Sequence, residues 1–173
     1  MADEVLLKSG KFKVVHRMID VGTREPVSKD IIIHPGAAVI LPITADGKIV
    51  LVRNHRWSID RELLELPAGT FEPLEEPQEC AFRELEEETG FTAGTLRPLC
   101  RFYTSPGLMN ELMHAFVATD LKPGHQHLSD DEKIQVDILS FEQVDHAIRV
   151  GKIMDGKTLV TLLYYELMEK TKP

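Results

Sequence analysis

The sequence predicts an α/β protein in which helices pack on the faces of a mixed β-sheet. Short segments rich in β-branched residues, either alternating or continuously apolar, come before and after one glutamate-rich helical segment. Two further helical segments follow at the end of the chain. This order of strands, helix, strands and helices is typical of a layered α/β fold. The chain has 173 residues, 43% of them apolar, which is enough for one core of ordinary size.

The strands are expected in two parts of the chain. Residues 1–35 are predicted to form an N-terminal strand pair joined by a turn at 21–26, and residues 36–173 to form the main domain. The continuous apolar run at 37–43 is typical of a buried strand, and the hairpin signal Asp46-Gly47 predicts that the next strand pairs with it. The expected strands are, in chain order, 11–20, 27–34, 37–43, 48–53, 63–66, 96–103, 112–118 and 134–139.

Three helices are expected from composition and from capping signals. Residues 79–89 are rich in Glu, Ala, Leu and Arg, which are good helix formers, and Gly90 is placed to cap the C-terminus. Ser140 followed by Gln143 has the spacing of a capping box, so a second helix should begin there. The pair Asp155-Gly156 opens a final amphipathic helix.

Composition and charge exclude several classes of protein. The formal net charge of −8 argues against nucleic acid as the partner, because phosphate backbones are held by clustered Lys and Arg. No run approaches the roughly 20 apolar residues of a membrane span, and the N-terminus does not resemble a secretory signal. Cys80 and Cys100 suggest no disulfide framework, so a reduced cytoplasmic location is expected.

Three carboxylates in the predicted helix 79–89 should share one face. Glu84 and Glu88 are four residues apart and Glu87 lies three after Glu84, which are the spacings of helical neighbours. A glutamate-rich helix is usually a solvated face, but no lysine is interspersed here to offset the like charges. A hard cation would offset them, and Mg²⁺ commonly bridges carboxylates to substrate phosphates. The residues alone therefore predict a divalent cation site.

The segment from Gly69 to Phe91 resembles the Nudix box, Gly-x5-Glu-x7-Arg-Glu-U-x-Glu-Glu-x-Gly-U, in which U is a bulky apolar residue. Every fixed position is matched, namely by Gly69, Glu75, Arg83, Glu84, Leu85, Glu87, Glu88, Gly90 and Phe91. Nine constrained positions make a specific motif. The resemblance implies a Nudix-like α/β/α sandwich and a pyrophosphohydrolase, an enzyme that cuts a diphosphate linkage with water.

The same resemblance implies roles for individual residues. Glu84 and Glu88 would be the main ligands of Mg²⁺, with Mn²⁺ as the alternative ion, and Glu87 would assist as a ligand and in catalysis. The backbone carbonyl of Ala68 would join them. Arg83 would orient the glutamates, because a guanidinium can hold a carboxylate bidentately.

Segments outside the box resemble the ADP-ribose pyrophosphatase subfamily. Ser105, Pro106 and Gly107 would line the substrate cleft, and Glu111 would accept hydrogen bonds from a ribose or a base; a plain β-turn is the alternative for this Pro-Gly segment. The acidic stretch 129–136 resembles a loop that precedes a strand and supplies the catalytic base or another metal ligand. Glu132 is the first candidate for that base, followed by Asp130 and Asp131, and a solvated acidic loop is the alternative.

The upstream segment adds a substrate contact and one departure. Arg56 resembles an arginine that reaches the diphosphate, whereas Lys29 and His34 stand where some bacterial members carry arginines that reach across a dimer interface. The resemblance thus implies ADP-ribose or a related nucleoside diphosphate sugar as the substrate, without naming one sugar, and a homodimer that packs through the N-terminal strands. Two rivals remain: a Nudix hydrolase of another nucleotide (a GDP-sugar, a dinucleoside polyphosphate or a nucleoside triphosphate) and a Nudix domain that senses nucleotide sugars without cleaving them.

Overall fold

The computed structural model describes residues 3–22, 25–129 and 133–170. They form ten strands and three helices within these ranges. The strands are β1 (Glu4–Lys8), β2 (Lys13–Ile19), β3 (Val27–Ile33), β4 (Ala37–Pro42), β5 (Ile49–Arg56), β6 (Arg61–Glu65), β7 (Ala68–Thr70), β8 (Phe91–Tyr103), β9 (Leu112–Pro123) and β10 (Ile134–Leu139). The helices are α1 (Pro77–Thr89), α2 (Phe141–Arg149) and α3 (Gly156–Lys170).

The main domain contains a mixed sheet, as predicted. Its order is β7-β4-β9-β8, with β4 parallel to β9 and the other pairs antiparallel. A second sheet, β10-β5-β6, is antiparallel and is joined to the first by a bridge between Ile43 and Ile49. The predicted α/β fold class is therefore confirmed.

The core lies on both faces of β4, which is buried throughout. Side chains alternate along a strand, so Ala38 and Ile40 pack with Cys80 and Leu85 of α1 in one cluster. The alternate residues of β4 face the other cluster, which includes side chains of β5, β6, α2 and α3. Helices thus cover opposite sides of the strands, and α1 is fixed in place beside β7.

The N-terminal part is a three-stranded antiparallel sheet in the order β1-β2-β3. The predicted pair is present as β2 and β3, but β1 was missed. All five residues of β1 are exposed, so it lacks the alternation between buried and exposed positions that marks a strand in sequence. The N-terminal sheet contacts the main domain at Ile32, which exchanges backbone hydrogen bonds with Leu108 and Asn110.

Most other boundaries agree with the sequence, apart from β5, β7, β8 and β9. Strand β5 continues to Arg56, past its predicted end at residue 53, and β7 was not predicted, because three residues carry too little pattern. Strands β8 and β9 extend beyond the predicted 96–103 and 112–118, since β8 begins at Phe91 and β9 ends at Pro123. The added residues pair with each other at the end of the hairpin, where Phe91, Ala93 and Leu121 are partly buried against the core cluster that includes α1.

The predicted helix caps are present. Gly90 ends α1 in the left-handed region at φ 72°, and the Ser140–Gln143 capping box begins α2. Helix α1 starts at Pro77, two residues before the predicted start, because Glu76 and Glu79 form a capping box of their own. No helix in the described part of the chain has the length and apolar character needed to span a bilayer.

Candidate active site

A cleft of about 870 Å³ opens beside the N-terminal end of β7 and the glutamate face of α1. It lies between segments far apart in sequence, since its lining comes from the β1–β2 turn, Pro35, β5, β7, the 71–75 loop, α1 and the segment 127–129. The predicted site residues that line it are Arg56, Ala68, Glu84, Glu87 and Glu88. The fold therefore brings distant parts of the chain together around the carboxylates expected from the sequence.

Arg83 is the hub of the carboxylate cluster. Its guanidinium donates to both oxygens of Glu75, from Nε at 2.7 Å and from Nη2 at 2.9 Å. Its Nη1 donates to Glu84 Oε1 at 2.6 Å and to Glu87 Oε2 at 3.0 Å. One cation thus orients three carboxylates, and it lowers the pKa of the Glu75 carboxyl below its usual range.

Glu84 lies directly against Gly69 of β7. A Cβ atom built at Gly69 would come within 1.8 Å of Glu84 Oε1 and 1.9 Å of Cδ. No residue with a side chain can occupy position 69 while Glu84 stays where it is. The box glycine is thus needed for the close approach of a carboxylate rather than for a special backbone angle.

Glu88 is the buried member of the cluster, only 4% exposed. Its Oε2 accepts a hydrogen bond from the backbone N–H of Ala68 at 3.0 Å, which ties α1 to β7. The pKa of the Glu88 carboxyl is raised to about 8, chiefly by burial and also by nearby Glu84, whereas the hydrogen bond from Ala68 and the charges of Arg56 and Lys157 oppose the rise. A buried carboxylate is costly unless a positive charge compensates it, so this side chain favours a bound cation.

The donor set fits a hard divalent cation in its chemistry. Glutamate oxygens and a neighbouring backbone carbonyl are the ligand types that Mg²⁺ and Mn²⁺ take. Within the described ranges, no three His, Cys, Asp or Glu side chains are already arranged as a metal cluster. Glu84 Oε1 and Glu87 Oε2 both accept from Nη1 of Arg83, which holds the two carboxylates side by side.

A second charge cluster, not foreseen from the sequence, lies behind Arg56. Glu65 is 1% exposed and accepts from Arg56 Nε at 2.8 Å and Nη2 at 2.5 Å. Glu65 also forms an ion pair with Lys157 of α3, whose Nζ lies 2.9 Å from Asp155 Oδ2. Thr158 in turn donates to Asp155 and accepts from the N–H of Leu66. The bidentate contact fixes the guanidinium of Arg56 at the wall of the cleft.

The sequence carries one signal for this second cluster. Glu65 interrupts an otherwise apolar segment, Leu63 to Pro67, and a buried acid in a strand needs a cationic partner. Its partner Lys157 is 92 residues away, near the predicted start of the last helix, and no sequence pattern indicated that the two residues pair. Asn54 and Lys11 also line the cleft and were not predicted.

The predicted loop Ser105–Glu111 lies outside the lining of this cleft. Ser105, Pro106 and Gly107 are exposed and form a turn in which Ser105 O accepts from Leu108 N–H. Glu111 accepts from Thr104 Oγ1 at 2.6 Å and lies 3.5 Å from His34 Nδ1. Their assignment to the substrate stays a prediction.

The segment before the predicted catalytic base is held against α1. Gln126 donates to the Glu88 carbonyl at 2.6 Å, and the N–H of His127 donates to the Glu87 carbonyl at 3.0 Å. Leu128 and Ser129 then line the cleft. The candidate base Glu132, with Asp130 and Asp131, lies outside the described residues. Lys29 is an exposed residue of β3.

A cluster of helix-borne glutamates beside a cleft of an α/β protein is the arrangement that the resemblance to the Nudix box predicts. The NUDIX domain family matches residues 33–156. That range is most of the chain, and the chain belongs to the Nudix family. The predicted class of enzyme, a pyrophosphohydrolase, is thereby confirmed.

Individual relatives agree with this assignment. The chain is 38% identical to the ADP-ribose pyrophosphatase of Bacillus subtilis over 143 residues, which are 82% of this chain and 77% of the relative. It is 36% identical to the GDP-mannose pyrophosphatase of Escherichia coli K12 over 140 residues, or 76% and 73% of the two chains. It is also 34% identical to the methanol dehydrogenase activator of Bacillus methanolicus over 156 residues, or 89% and 84%.

A solved structure shows the same fold. The crystal structure of an ADP compounds hydrolase superposes with a TM-score of 0.85 at 22% sequence identity, covering 98% of this chain and 92% of the other. The coverage includes the N-terminal sheet as well as the main domain.

Proposed function

We propose that this protein hydrolyses the diphosphate bond of ADP-ribose or a related nucleoside diphosphate sugar in the presence of Mg²⁺ or Mn²⁺, releasing a nucleoside monophosphate and a sugar phosphate. The observation that carries the proposal is the pair Glu84 and Glu87 held by Arg83, with Glu88 on the same wall of a cleft that Arg56 also lines. Two relatives with pyrophosphatase activity on an ADP-sugar and a GDP-sugar support the substrate class.

Glu84, Glu88 and the carbonyl of Ala68 would hold the cation, with Glu87 assisting. Such a cation activates water for attack and neutralises charge on the diphosphate. The Arg83 guanidinium keeps Glu84 and Glu87 close together despite their like charges. The Ala68 N–H fixes one oxygen of Glu88 and leaves the rest of the carboxylate directed toward the cleft.

Arg56 is proposed to bind the diphosphate. Its bidentate contact with Glu65 leaves Nη1 as the nitrogen not used in that pair, and the side chain is 38% exposed. Because Glu65 is buried and also holds Lys157, the guanidinium cannot swing freely. A planar donor held in this way recognises phosphate oxygens with little further loss of side-chain entropy.

The remaining roles are proposed from the family resemblance. Glu132 would accept the proton from the attacking water, with Asp130 and Asp131 as the next candidates and Glu87 contributing to catalysis. Ser105, Pro106, Gly107 and Glu111 would contact the ribose or the base.

We also propose a homodimer formed through the N-terminal sheet. Val5 and Leu7 of β1 and Met18 and Val27 of β2 and β3 are between 39% and 53% exposed, which leaves apolar surface for a second copy to cover. Both cysteines are free thiols, which suits the proposed cytoplasmic location. Gel filtration combined with light scattering would test the dimer, and a monomer at micromolar concentration would refute it.

The function is tested by measuring the release of phosphate monoesters from ADP-ribose, ADP-glucose, UDP-glucose and GDP-mannose, with and without Mg²⁺. Turnover that requires the metal and is lost in Glu84→Gln, but kept in a surface control such as Glu142→Gln, supports the proposal. Turnover of nucleoside triphosphates or dinucleoside polyphosphates alone would assign another Nudix activity. Binding of nucleotide sugars with no hydrolysis would identify a sensing domain.

A further inference from the structure

The loop that leads into α1 contains a residue in an unfavourable backbone conformation. Glu75 N–H donates to the Glu72 carbonyl at 3.1 Å, which closes a four-residue turn with Pro73 and Leu74 at its centre. Leu74 has φ +69°. Proline at the second position and a positive φ at the third define a type II turn, which favours Gly or Asn at the third position. Leucine there is strained, because its Cβ crowds the backbone in the left-handed region.

The turn cannot relax around Leu74. The backbone N–H of Glu72 donates to Glu75 Oε2 at 2.8 Å, and both oxygens of Glu75 are bound by Arg83. Any change at φ of Leu74 would therefore pull on the guanidinium that orients Glu84 and Glu87. The turn requires the positive φ, but it does not require a side chain at that position.

The side chain of Leu74 is fully exposed. Its relative exposure is 102%, the highest among the large apolar side chains in the described part of the chain, and it lines the same cleft as Glu75 and Glu84. The free protein thus bears both the strain of a branched residue and the exposure of its whole apolar surface. Strained residues at the edge of a site are commonly retained for a contact made there.

We propose that Leu74 is a specificity residue whose side chain packs on the apolar face of a ring of the bound substrate, either the nucleobase or the sugar. This inference rests on the proposed function. The contact would cover apolar surface that is exposed in the free protein, and it would contribute to substrate affinity rather than to the chemical step. Leu74 touches no group expected to react, so its replacement should change KM and leave kcat nearly unchanged.

The test compares Leu74→Asn and Leu74→Met with a control, Leu163→Asn. Asparagine tolerates the left-handed conformation, so the fold is kept and the melting temperature stays equal or rises by about 2 °C. KM should rise about fivefold to tenfold with kcat within about twofold, because only a binding contact is lost. Methionine keeps an apolar contact and should hold KM within about twofold. Leu163 is 51% exposed on α3 and lies away from the cleft, so its replacement should leave KM unchanged.

Substrate pairs identify the ring. If the rise in KM caused by Leu74→Asn differs between ADP-glucose and UDP-glucose, Leu74 contacts the base. If it differs between ADP-ribose and ADP-glucose, Leu74 contacts the sugar. The inference is overturned if KM is unchanged for all substrates, and also if KM rises equally for every substrate. It is also overturned by a fall in kcat together with a weaker Mg²⁺ requirement, which would place Leu74 among the supports of Arg83, or by a dimer that dissociates in Leu74→Asn. A wild-type protein that neither binds nor cleaves any of these compounds refutes the proposed function itself.

Discussion

Replacing Gly69 by alanine should abolish most activity while leaving the fold intact. The new Cβ would lie 1.8 Å from Glu84 Oε1, whereas ordinary contacts begin at 3.4 Å, so the carboxylate must move by about 1.6 Å. Displacing a catalytic group by roughly 1 Å costs about 100-fold in rate. We therefore expect kcat to fall at least about 100-fold, with a weaker affinity for the metal.

The stability of Gly69→Ala should change little. The atoms in the way belong to the far end of a flexible side chain and not to the backbone, so Glu84 can turn aside. Alanine also restricts the unfolded chain more than glycine does, which offsets part of any strain. We expect the free energy of unfolding to stay within about 1 kcal/mol of the wild-type value.

The assay is steady-state hydrolysis of a nucleotide sugar over a Mg²⁺ titration, with thermal unfolding as the check on the fold. Gly156→Ala is the matched control, because nothing lies within 4 Å of a Cβ at that position. Glu84→Asp in the Gly69→Ala background should cost less than it does alone, since the two changes act on one carboxylate. Wild-type kcat and metal affinity in Gly69→Ala would refute the idea that position 69 acts by making room for Glu84.

Three further changes test other parts of the structure. Glu88→Gln should lower Mg²⁺-dependent turnover at least about 100-fold. Without metal, the wild-type protein should lose stability as the pH rises from 4.5 to about 8, because the folded state binds the Glu88 proton more tightly than the unfolded state does. Urea unfolding at several pH values should show a smaller fall in stability over this range in the variant. Glu65→Gln should lower the free energy of unfolding in urea by up to about 3 kcal/mol and raise KM, because Arg56 and Lys157 lose their shared buried partner. An unchanged urea midpoint would contradict a stabilising role for the buried carboxylate. Ser140→Ala should cost about 1 kcal/mol by removing the cap of α2 with no change in kcat, and any loss of activity would contradict a purely structural cap.

Sequence reasoning predicted the elements that carry a local signal in their own residues. Strand β4 is a continuous apolar run that is buried throughout, and α1 is rich in good helix formers and ends at a glycine cap. Strand β1 was missed because every residue is exposed, and β7 because it has three residues. In these two strands the backbone hydrogen bonds to the neighbouring strand decide the structure, and such bonds leave no pattern of side chains in the sequence.

The carboxylate cluster was predictable for the same reason that α1 was. Glu84, Glu87 and Glu88 are helical neighbours, so their proximity follows from spacing alone. The pairing of Glu65 with Lys157 could not be predicted, because it joins a strand to the last helix and depends on how α3 packs. The positive φ of Leu74 could not be predicted from the sequence either. The structure explains it by the turn around Pro73, which is closed by a hydrogen bond from Glu75 N–H to the Glu72 carbonyl.

The two charge clusters differ in balance, and the difference argues for a metal in the proposed reaction. Around Arg83, the three carboxylates of Glu75, Glu84 and Glu87 accept from one guanidinium. Behind Arg56, two cations face the two carboxylates of Glu65 and Asp155, so that cluster is neutral. A diphosphate drawn toward Arg56 would meet excess negative charge from α1 at close range, where repulsion is weakly screened. Cations that bind the glutamates would remove both the repulsion among the carboxylates and their repulsion of the substrate. Removing the metal with a chelator should therefore weaken substrate binding as well as turnover.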